Sequence, residues 1–297
     1  MVGKQERRYQ RMITVVLALI SLIMVIPLVL LVVASFTSNN EIVLHGYSFF
    51  PKELSLEAYR YIWNERAQVF HAYGITILVT AIGTTLGVMM TLVYAYALAH
   101  EKFPGKPGLA VYLFFTMLFN GGLVPTYIMY TRYLHMKNTI PALIIPGLLM
   151  SAFNVILTRT YIQSNVPAAL SEAAKIDGAT EFQVFRKVVL PMCKPIIATV
   201  GLFAGLGYWN DWTNGLYYIT DTNKFSIQQL LNNMIKNIEF LSKNANSNIN
   251  LASVGGGIPQ ETVRMAIAIV GLLPILIVFP FVQKYFVKGI SIGAVKG

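Results

Sequence analysis

A short charged segment carries residue types suited to docking a partner rather than to catalysis. It reads Glu172-Ala173-Ala174-Lys175-Ile176-Asp177-Gly178-Ala179, and residues 168–176 around it are good helix formers. Ala169, Ala173 and Ile176 share one helix face because they are spaced i, i+4 and i+7, and small residues there allow close approach. Glu172 and Lys175 add charge at the rim of that face. Spacing alone leaves two interpretations open, a docking helix and an amphipathic helix resting on lipid headgroups.

The residues that flank this segment predict where its helix begins and ends. Pro167 suits the first helical turn, and either residue of the pair 164–165 can supply the cap. Gly178 can end the helix in a left-handed turn. Thr180–Gln183 then forms a capping box for a second short helix, which we expect Leu190-Pro191 to stop.

A second group of residues suits sugar recognition. It reads Tyr208-Trp209-Asn210-Asp211-Trp212 near the end of an apolar segment. Aromatic rings stack on sugar faces, and amide and acid groups bond hydroxyls. The alternative is an aromatic belt at the outer membrane interface, with Asp211 solvated or capping a neighbouring helix, although an acid inside a membrane is a functional candidate by default. Asn120, in the segment 120–125, is a further pathway candidate, but that segment also fits a kink or a broken helix.

Other site chemistry finds no support in the sequence. There is no Gly-x-x-x-x-Gly-Lys-Ser/Thr for ATP and no His-Glu-x-x-His or paired-cysteine metal motif. The single cysteine, Cys193, excludes an internal disulfide. The segment 289–293 matches a nucleophile-elbow string, but it lies in a basic tail without strand, His and Asp partners. We interpret the four histidines as interfacial or solvated: His45, His71, His100 and His135. We expect no catalytic residue, metal or cofactor on this chain.

The elements that position these groups lie in a membrane. The chain is 55% hydrophobic and 12% charged, with a mean hydropathy of +0.58, whereas soluble domains carry about 25% charged residues. Six apolar segments are long enough to cross a bilayer, and backbone groups in lipid must be satisfied internally, so we expect helices. The expected spans are 13–34, 74–99, 109–131, 139–157, 196–219 and 265–286. The first is too long for a signal peptide.

The distribution of basic residues predicts the orientation. An even number of spans puts both termini on one side, which would carry 14 Lys and Arg residues against nine on the other. We therefore expect cytoplasmic termini and a cytoplasmic loop at 158–195. The net charge of +10 is then explained by this bias and by anionic lipid, and needs no nucleic acid. On the outer side we expect a helix over 226–241 and a flexible loop at 244–257.

The loop at 158–195 resembles the EAA loop of ABC-importer membrane subunits. That pattern is Glu-Ala-Ala, three residues, Gly, nine residues, a hydrophobic residue, one residue and Leu-Pro. The matching residues are Glu172, Ala173, Ala174, Gly178, Val188, Leu190 and Pro191, with Val188 where isoleucine is commonest. Segments 50–59 and 286–297 resemble carbohydrate permeases of the maltose type, and 120–127 resembles their LplC-like oligosaccharide and polysaccharide branch. The resemblance therefore covers almost the whole chain.

This resemblance implies a fold and a set of partners. The fold would be an all-α integral membrane protein of the type I ABC-importer permease class, with six transmembrane helices and a cytoplasmic coupling helix in a single permease domain, 1–297. In a bacterial cell membrane it would form a heterodimer with a second homologous permease. Two copies of a cytoplasmic ATPase would bind ATP and Mg, and an extracellular solute-binding protein would deliver the solute.

The resemblance also implies roles for particular residues. In the family the motif acid contacts the ATPase, which makes Glu172 the first candidate and Gly178 the second. The full coupling set is Glu172, Ala173, Ala174, Lys175, Asp177 and Gly178. The solute would be a carbohydrate, an oligosaccharide or a polysaccharide fragment, with a monosaccharide, a polyol or a solute such as glycerol phosphate as alternatives.

A different class of function is an ion-coupled secondary carrier of small solutes. Such a carrier predicts intramembrane charges and matched broken helices in repeated halves. The lone Asp211 and the absence of an obvious repeat argue against it.

Overall fold

The computed structural model of the protein describes residues 4–100, 103–245 and 260–294, and these are mostly helical. The helices of the first half are α1 (Lys4–Ser35), α2 (Asn39–His45), α3 (Glu57–Asn64), α4 (Arg66–Ala99), α5 (Lys106–Leu118) and α6 (Leu123–Ile128). Those of the second half are α7 (Pro141–Ile144), α8 (Ala152–Asn165), α9 (Ala168–Ile176), α10 (Glu181–Val184), α11 (Leu190–Met192), α12 (Lys194–Trp209), α13 (Thr213–Tyr218), α14 (Ile227–Ala245) and α15 (Gln260–Ala294). Met129–Tyr133 and Phe185–Val189 are π-helical turns.

Two expectations on the outer segment have different outcomes. The helix expected over 226–241 is confirmed as α14. Most of the loop expected at 244–257 lies outside the described residues, as do Lys102, counted among the basic residues, and the tail positions 295–297.

Three described helices are long and apolar enough to cross a membrane. They are Arg8–Ser35, Arg66–Ala99 and Gln260–Pro280. Two bent pairs pass the same test together: Lys106–Leu118 with Leu123–Tyr133 at 116°, and Glu181–Met192 with Lys194–Trp209 at 81°. Counting each pair as one span gives up to five spans in the described part of the chain. A total of six spans stays a prediction.

The segment 139–157 differs from the single helix expected there. It contains α7, a turn and the first part of α8. Pro146 has no N–H to donate and Gly147 adopts a left-handed φ of +70°, so no regular helix continues across them, and α7 ends at Ile144. Because α8 continues to Asn165, the first residues of the expected loop at 158–195 are helical.

The described residues fold as two compact units, of which the first comprises 1–69 and 231–274. The most apolar stretch of α1 has none of its residues buried. After α1 the chain folds back, with Phe36 stacked on Tyr59 at 4.8 Å between ring centroids. At the start of α15, Arg264 pairs with Glu261 at 3.1 Å and with Glu239 at 3.5 Å. Within this unit, these contacts hold in place the segments that precede or follow the membrane spans.

The second unit comprises residues 70–230 and 275–297. Its apolar core joins α4, α5, α8, α10, the π-helical turn after α10 and the start of α12. The buried members are Leu92, Ala95, Leu98, Leu113, Val155, Ile162, Val184, Val189, Cys193, Ile196 and Val200. This core supports the charged loop, because its members come from both sides of it in the sequence.

Asn138, whose backbone is in the left-handed region, connects two turns of the second unit by hydrogen bonds. Asn138 has a φ of +57°, which asparagine tolerates better than most residues. Its Oδ1 accepts hydrogen bonds from the backbone N–H groups of Thr220 at 2.6 Å and Asp221 at 3.1 Å. The backbone N–H of Asn138 donates to the Tyr218 carbonyl at 2.9 Å. The turn after the π-helix is thus held to the end of α13.

Close packing of α4 on α12 depends on Gly83. The ring of Tyr208 lies where a Cβ on Gly83 would be, and the Tyr208 hydroxyl donates to the Ile144 carbonyl at 2.9 Å. Only 2% of Tyr208 is exposed. Glycine here therefore allows a large aromatic side chain to lie directly against the α4 backbone.

We expect Gly83→Ala to destabilise the protein, because the new methyl group overlaps the Tyr208 ring. Overpacking of this kind costs about 1–3 kcal/mol. The measurement is the thermal unfolding midpoint of the purified protein in mild detergent. Gly74→Ala is the matched control on the same helix, since a Cβ there meets nothing within 4 Å. Equal midpoints for the two variants would contradict this account of the α4–α12 contact.

Candidate functional site

The sequence predicted three local features of the charged loop, and two of them are present. Gly178 adopts φ +82° directly after α9, as predicted. The capping box is also present, since Gln183 Oε1 accepts from the Thr180 N–H at 2.8 Å and Thr180 Oγ1 accepts from the Gln183 N–H at 3.4 Å. The expected side-chain cap from Asn165 is absent: its Nδ2 donates to the Tyr161 carbonyl at 3.1 Å, and Pro167 occupies the N-cap position of α9.

The second short helix does not stop at Leu190-Pro191 as expected. It continues through the π-helical turn Phe185–Val189 into α11, and the direction changes by 81° only around Cys193. Pro191 is tolerated because it lies in the first turn of α11, where a missing N–H is least costly. The loop therefore joins the membrane segment through a helix rather than through an irregular linker.

The predicted docking face is open to a partner. Ala169, Ala173 and Ile176 are all exposed, Ile176 to 86%. Glu172 is exposed beside them. Phe182, which the sequence did not single out, is 67% exposed in the first turn of α10. The face thus combines a protruding apolar side chain with charge at its rim, which is the composition of a protein-docking surface.

The other coupling candidates lie around this face. Asp177 and Gly178 are exposed, whereas Ala174 and Lys175 are half-buried. Ala174 packs against the apolar core of the second unit. One side of α9 therefore faces outward and the other faces the body of the protein.

A cluster of four polar side chains, Tyr96, His100, Lys175 and Glu181, connects the loop to the end of α4; we call it the Glu181 cluster. The Glu181 carboxylate forms an ion pair with Lys175 and accepts a hydrogen bond from the Tyr96 hydroxyl at 2.9 Å. Lys175 Nζ lies 3.0 Å from His100 Nε2, and that nitrogen lies 3.5 Å from Glu181 Oε1. The cluster joins residues of α4, α9 and α10.

The contacts of the Glu181 cluster lower the pKa of the Glu181 carboxyl below its ordinary value. The hydrogen bond from Lys175 contributes most; burial acts in the opposite direction, and the Tyr96 hydrogen bond and the charges of Lys175 and His100 lower the pKa further. A lowered folded-state pKa stabilises the loop above the ordinary carboxyl pKa. That contribution is lost as the pH falls through the lowered value.

Sequence reasoning missed this cluster. His100 was interpreted as interfacial or solvated, but its side chain is 26% exposed and contacts Lys175. Tyr96 on α4 and His100 directly after its end are four residues apart, which offered a weak signal of a shared polar face. The pairing with Glu181 was not predictable, because 85 residues separate Tyr96 from Glu181.

In the aromatic segment 208–212, some side chains are buried and others are exposed. Tyr208 is buried against Gly83, so it is a packing residue. Asp211 Oδ1 accepts from the backbone N–H groups of Thr213 at 3.1 Å and Asn214 at 3.3 Å, so the carboxylate caps α13, one of the alternatives left open by the sequence. This contact involves the Oδ1 atom of Asp211.

The other three candidates of this segment are more accessible. Asn210 is exposed and its Nδ2 donates to the Leu206 carbonyl at 3.0 Å. Trp209 is half-buried, with its ring centroid 6.3 Å from that of Tyr73. Trp212 is 43% exposed. Asn210 and Trp212 are thus exposed at the end of α12, and Trp209 is partly exposed.

Asn120 lies in the break between α5 and α6, as the kink or broken-helix interpretation expected. Its Oδ1 accepts from the Gly122 N–H at 2.8 Å, and Gly122 has φ +81°. The Asn120 side chain is exposed. It stabilises the turn that bends this pair of helices by 116°.

Metal chemistry is not indicated by the geometry. Within residues 4–100, 103–245 and 260–294, no three His, Cys, Asp or Glu side chains are grouped so that they could hold a metal ion.

The sequence of this chain is similar to a protein family and to two individual proteins. The family model described as "Binding-protein-dependent transport system inner membrane component" matches residues 105–292. The polygalacturonan/rhamnogalacturonan transport system permease protein YtcP of Bacillus subtilis (strain 168) is 34% identical over 99% of this chain and 100% of its own length. Protein LplC of the same organism is 34% identical, covering 93% of this chain and 90% of its own.

A solved structure is similar as well. It is a bacterial ABC transporter involved in the import of the acidic polysaccharide alginate. Its matching chain has a TM-score of 0.75 and 27% identity, covering 96% of this chain and 99% of that one.

We expect Gly178→Ala to destabilise the turn between α9 and α10. A Cβ at Gly178 meets nothing within 4 Å, so the cost arises from the left-handed backbone alone, roughly 1–2 kcal/mol. Gly178→Asn should be milder, because asparagine tolerates this conformation. Limited proteolysis of the loop in the purified protein measures the difference, with faster cleavage expected for alanine. Cleavage of both variants at the wild-type rate would show that the turn does not depend on glycine.

Proposed function

Because the chain belongs to the family of binding-protein-dependent transport system inner membrane components, we propose that it forms half of the translocation pathway of an ATP-driven importer. The cargo is an oligosaccharide or a polysaccharide fragment. The chain itself is a transport component and not an enzyme, and it works with an ATPase and a solute-binding protein.

The observation that carries the coupling role is the exposed face of α9. Ile176 protrudes beside Glu172, with Phe182 close in sequence. We propose that this face docks into a groove on the cytoplasmic ATPase, with Glu172 making the principal polar contact and Gly178 shaping the turn. An apolar centre with a charged rim suits such a contact. Closure of the ATPases on ATP would then draw the loop inward and reorient the pathway.

The assembly proposed here has five protein components. This chain pairs with a second homologous permease, two ATPase copies carry ATP and Mg, and an extracellular binding protein delivers the sugar. This chain binds no cofactor of its own. The exposed apolar stretch of α1 supports such an assembly, because lipid or another permease must cover it.

The orientation is part of the same proposal. We place both termini and the loop at 158–195 on the cytoplasmic side of the bacterial membrane. The excess of basic residues on that side supports this arrangement.

The proposal of a polysaccharide-derived cargo rests on two similar proteins. YtcP is described as a permease for polygalacturonan and rhamnogalacturonan, and the solved importer acts on alginate. We propose Trp209, Asn210 and Trp212, with Asn120, as the residues of this chain that line the pathway. Their indole rings and amides suit stacking on sugar rings and bonding of hydroxyls. An ion-coupled carrier is not favoured, since the chain belongs to a family of ATP-driven importers.

We expect Glu172→Ala to abolish sugar uptake while leaving membrane insertion intact, because it removes the charge from an exposed docking face without opening a cavity. The measurements are uptake of oligogalacturonides by cells and co-purification of the ATPase with the tagged chain. Glu57→Ala, which also removes an exposed carboxylate from a short helix, is the matched control. Normal uptake and normal ATPase recovery with Glu172→Ala would count against the docking role.

We expect Trp212→Ala to weaken substrate-stimulated ATP hydrolysis by the reconstituted complex. Loss of one stacking ring costs about 1 kcal/mol, or roughly fivefold in the sugar concentration needed for half stimulation. Trp212→Phe keeps an aromatic face and should retain most of the stimulation. If alanine and phenylalanine both behave as wild type, the ring belongs to the membrane interface and not to the pathway.

A further inference from the structure

The contact between α9 and the rest of the chain is concentrated at one end of the helix. Among the described residues, a cavity of about 450 Å³ lies between the first half of α9 and the ends of α4 and α8. Its lining includes Pro167, Ser171 and Glu172 on one side and Ala99 and Ile162 on the other. The first half of α9 therefore borders this cavity, and the polar side chains that join α9 to α4 lie at its far end.

Two kinds of contact exist at that end. Ala174 and Ala179 pack against the apolar core. Apolar contacts are non-directional, so this packing alone does not fix the position of α9 on the core. The Glu181 cluster supplies hydrogen bonds, which fix both distance and direction. Both carboxylate oxygens of Glu181 are used, one by Tyr96 and the other by Lys175.

We propose that Tyr96, Lys175 and Glu181 are positioning residues that hold the coupling helix α9 at a fixed place against α4. Displacement of α9 by the ATPase then moves α4, and with it the pathway, instead of only deforming the loop. This inference rests on the proposed coupling function. The three side chains act through α9 and α4, since the coupling they provide is between two helices.

Tyr96 allows the hydrogen bond to be tested apart from packing. Its ring lies 5.1 Å from that of Phe185 and 6.1 Å from that of His100, measured between centroids. Tyr96→Phe keeps these ring contacts and removes the bond to Glu181. Tyr94→Phe is a matched control on the same helix, because the Tyr94 hydroxyl donates to the Leu109 carbonyl at 2.9 Å and not to the loop.

The experiment measures the distance between spin labels at Ala168→Cys and Val93→Cys in the complete complex with both permeases and the ATPases. Both sites are exposed, and the natural Cys193 is buried, which limits background labelling. In the wild type we expect one narrow distance distribution, unchanged between the nucleotide-free state and the state trapped with ATP and vanadate. In Tyr96→Phe and Glu181→Gln the population of displaced α9 should rise about tenfold or more, as expected for one lost hydrogen bond to a charged group.

The outcomes separate this inference from the proposed function. A distribution broadened in Tyr96→Phe and Glu181→Gln but not in Tyr94→Phe, with the ATPase still bound, supports the positioning role. Wild-type distributions in both cluster variants overturn it and leave the docking of α9 intact. A wild-type chain that binds no ATPase overturns the proposed function and the positioning role together.

Discussion

Backbone hydrogen bonding is the constraint on which this architecture depends. A peptide group that loses its helical partner inside a membrane has no water to replace it, so each interruption of a helix needs a local substitute. Asn120 provides one to the N–H of Gly122, and Asp211 provides two at the start of α13. Asn138 fills the same role for the turn at Thr220 and Asp221. The short polar side chains in these segments therefore have a structural role, because they replace backbone hydrogen bonds that the helix interruptions remove.

This constraint explains which features could be predicted from sequence. The membrane-helix class followed from composition and from the lengths of the apolar segments, and the importer-permease fold followed from the resemblance of the loop at 158–195. The left-handed Gly178 and the Thr180–Gln183 capping box followed from residue types within a few positions of each other. Local chemistry decides such features, so a single sequence contains the needed information. The division of 139–157 at Pro146-Gly147 was also local, but the apolar character of the segment masked it.

Contacts between distant segments were not predictable in the same way. Tyr208 looked like a sugar-binding aromatic because its neighbours are Trp209 and Asn210; only the proximity of Gly83, on another helix, assigns it to packing. Nothing in the sequence distinguishes Glu181 from the other charged residues of the loop. Its contacts with Tyr96 and Lys175 are visible only in the structure. In both cases the deciding partner lies on a separate helix, and helix periodicity carries no information about which faces meet.

The exposed apolar stretch of α1 has a consequence for how the protein is made. The most apolar 18-residue window of its segment Arg8–Ser35 has a mean hydropathy of 3.3, and none of the residues in that window is buried. It precedes α4 and α12 in the sequence, so it leaves the ribosome before they do. Such a segment partitions into the bilayer by itself, before α4 or α12 has been synthesised. The basic residues ahead of it then bias its direction of entry, so the topology of every later helix is influenced during translation rather than during folding.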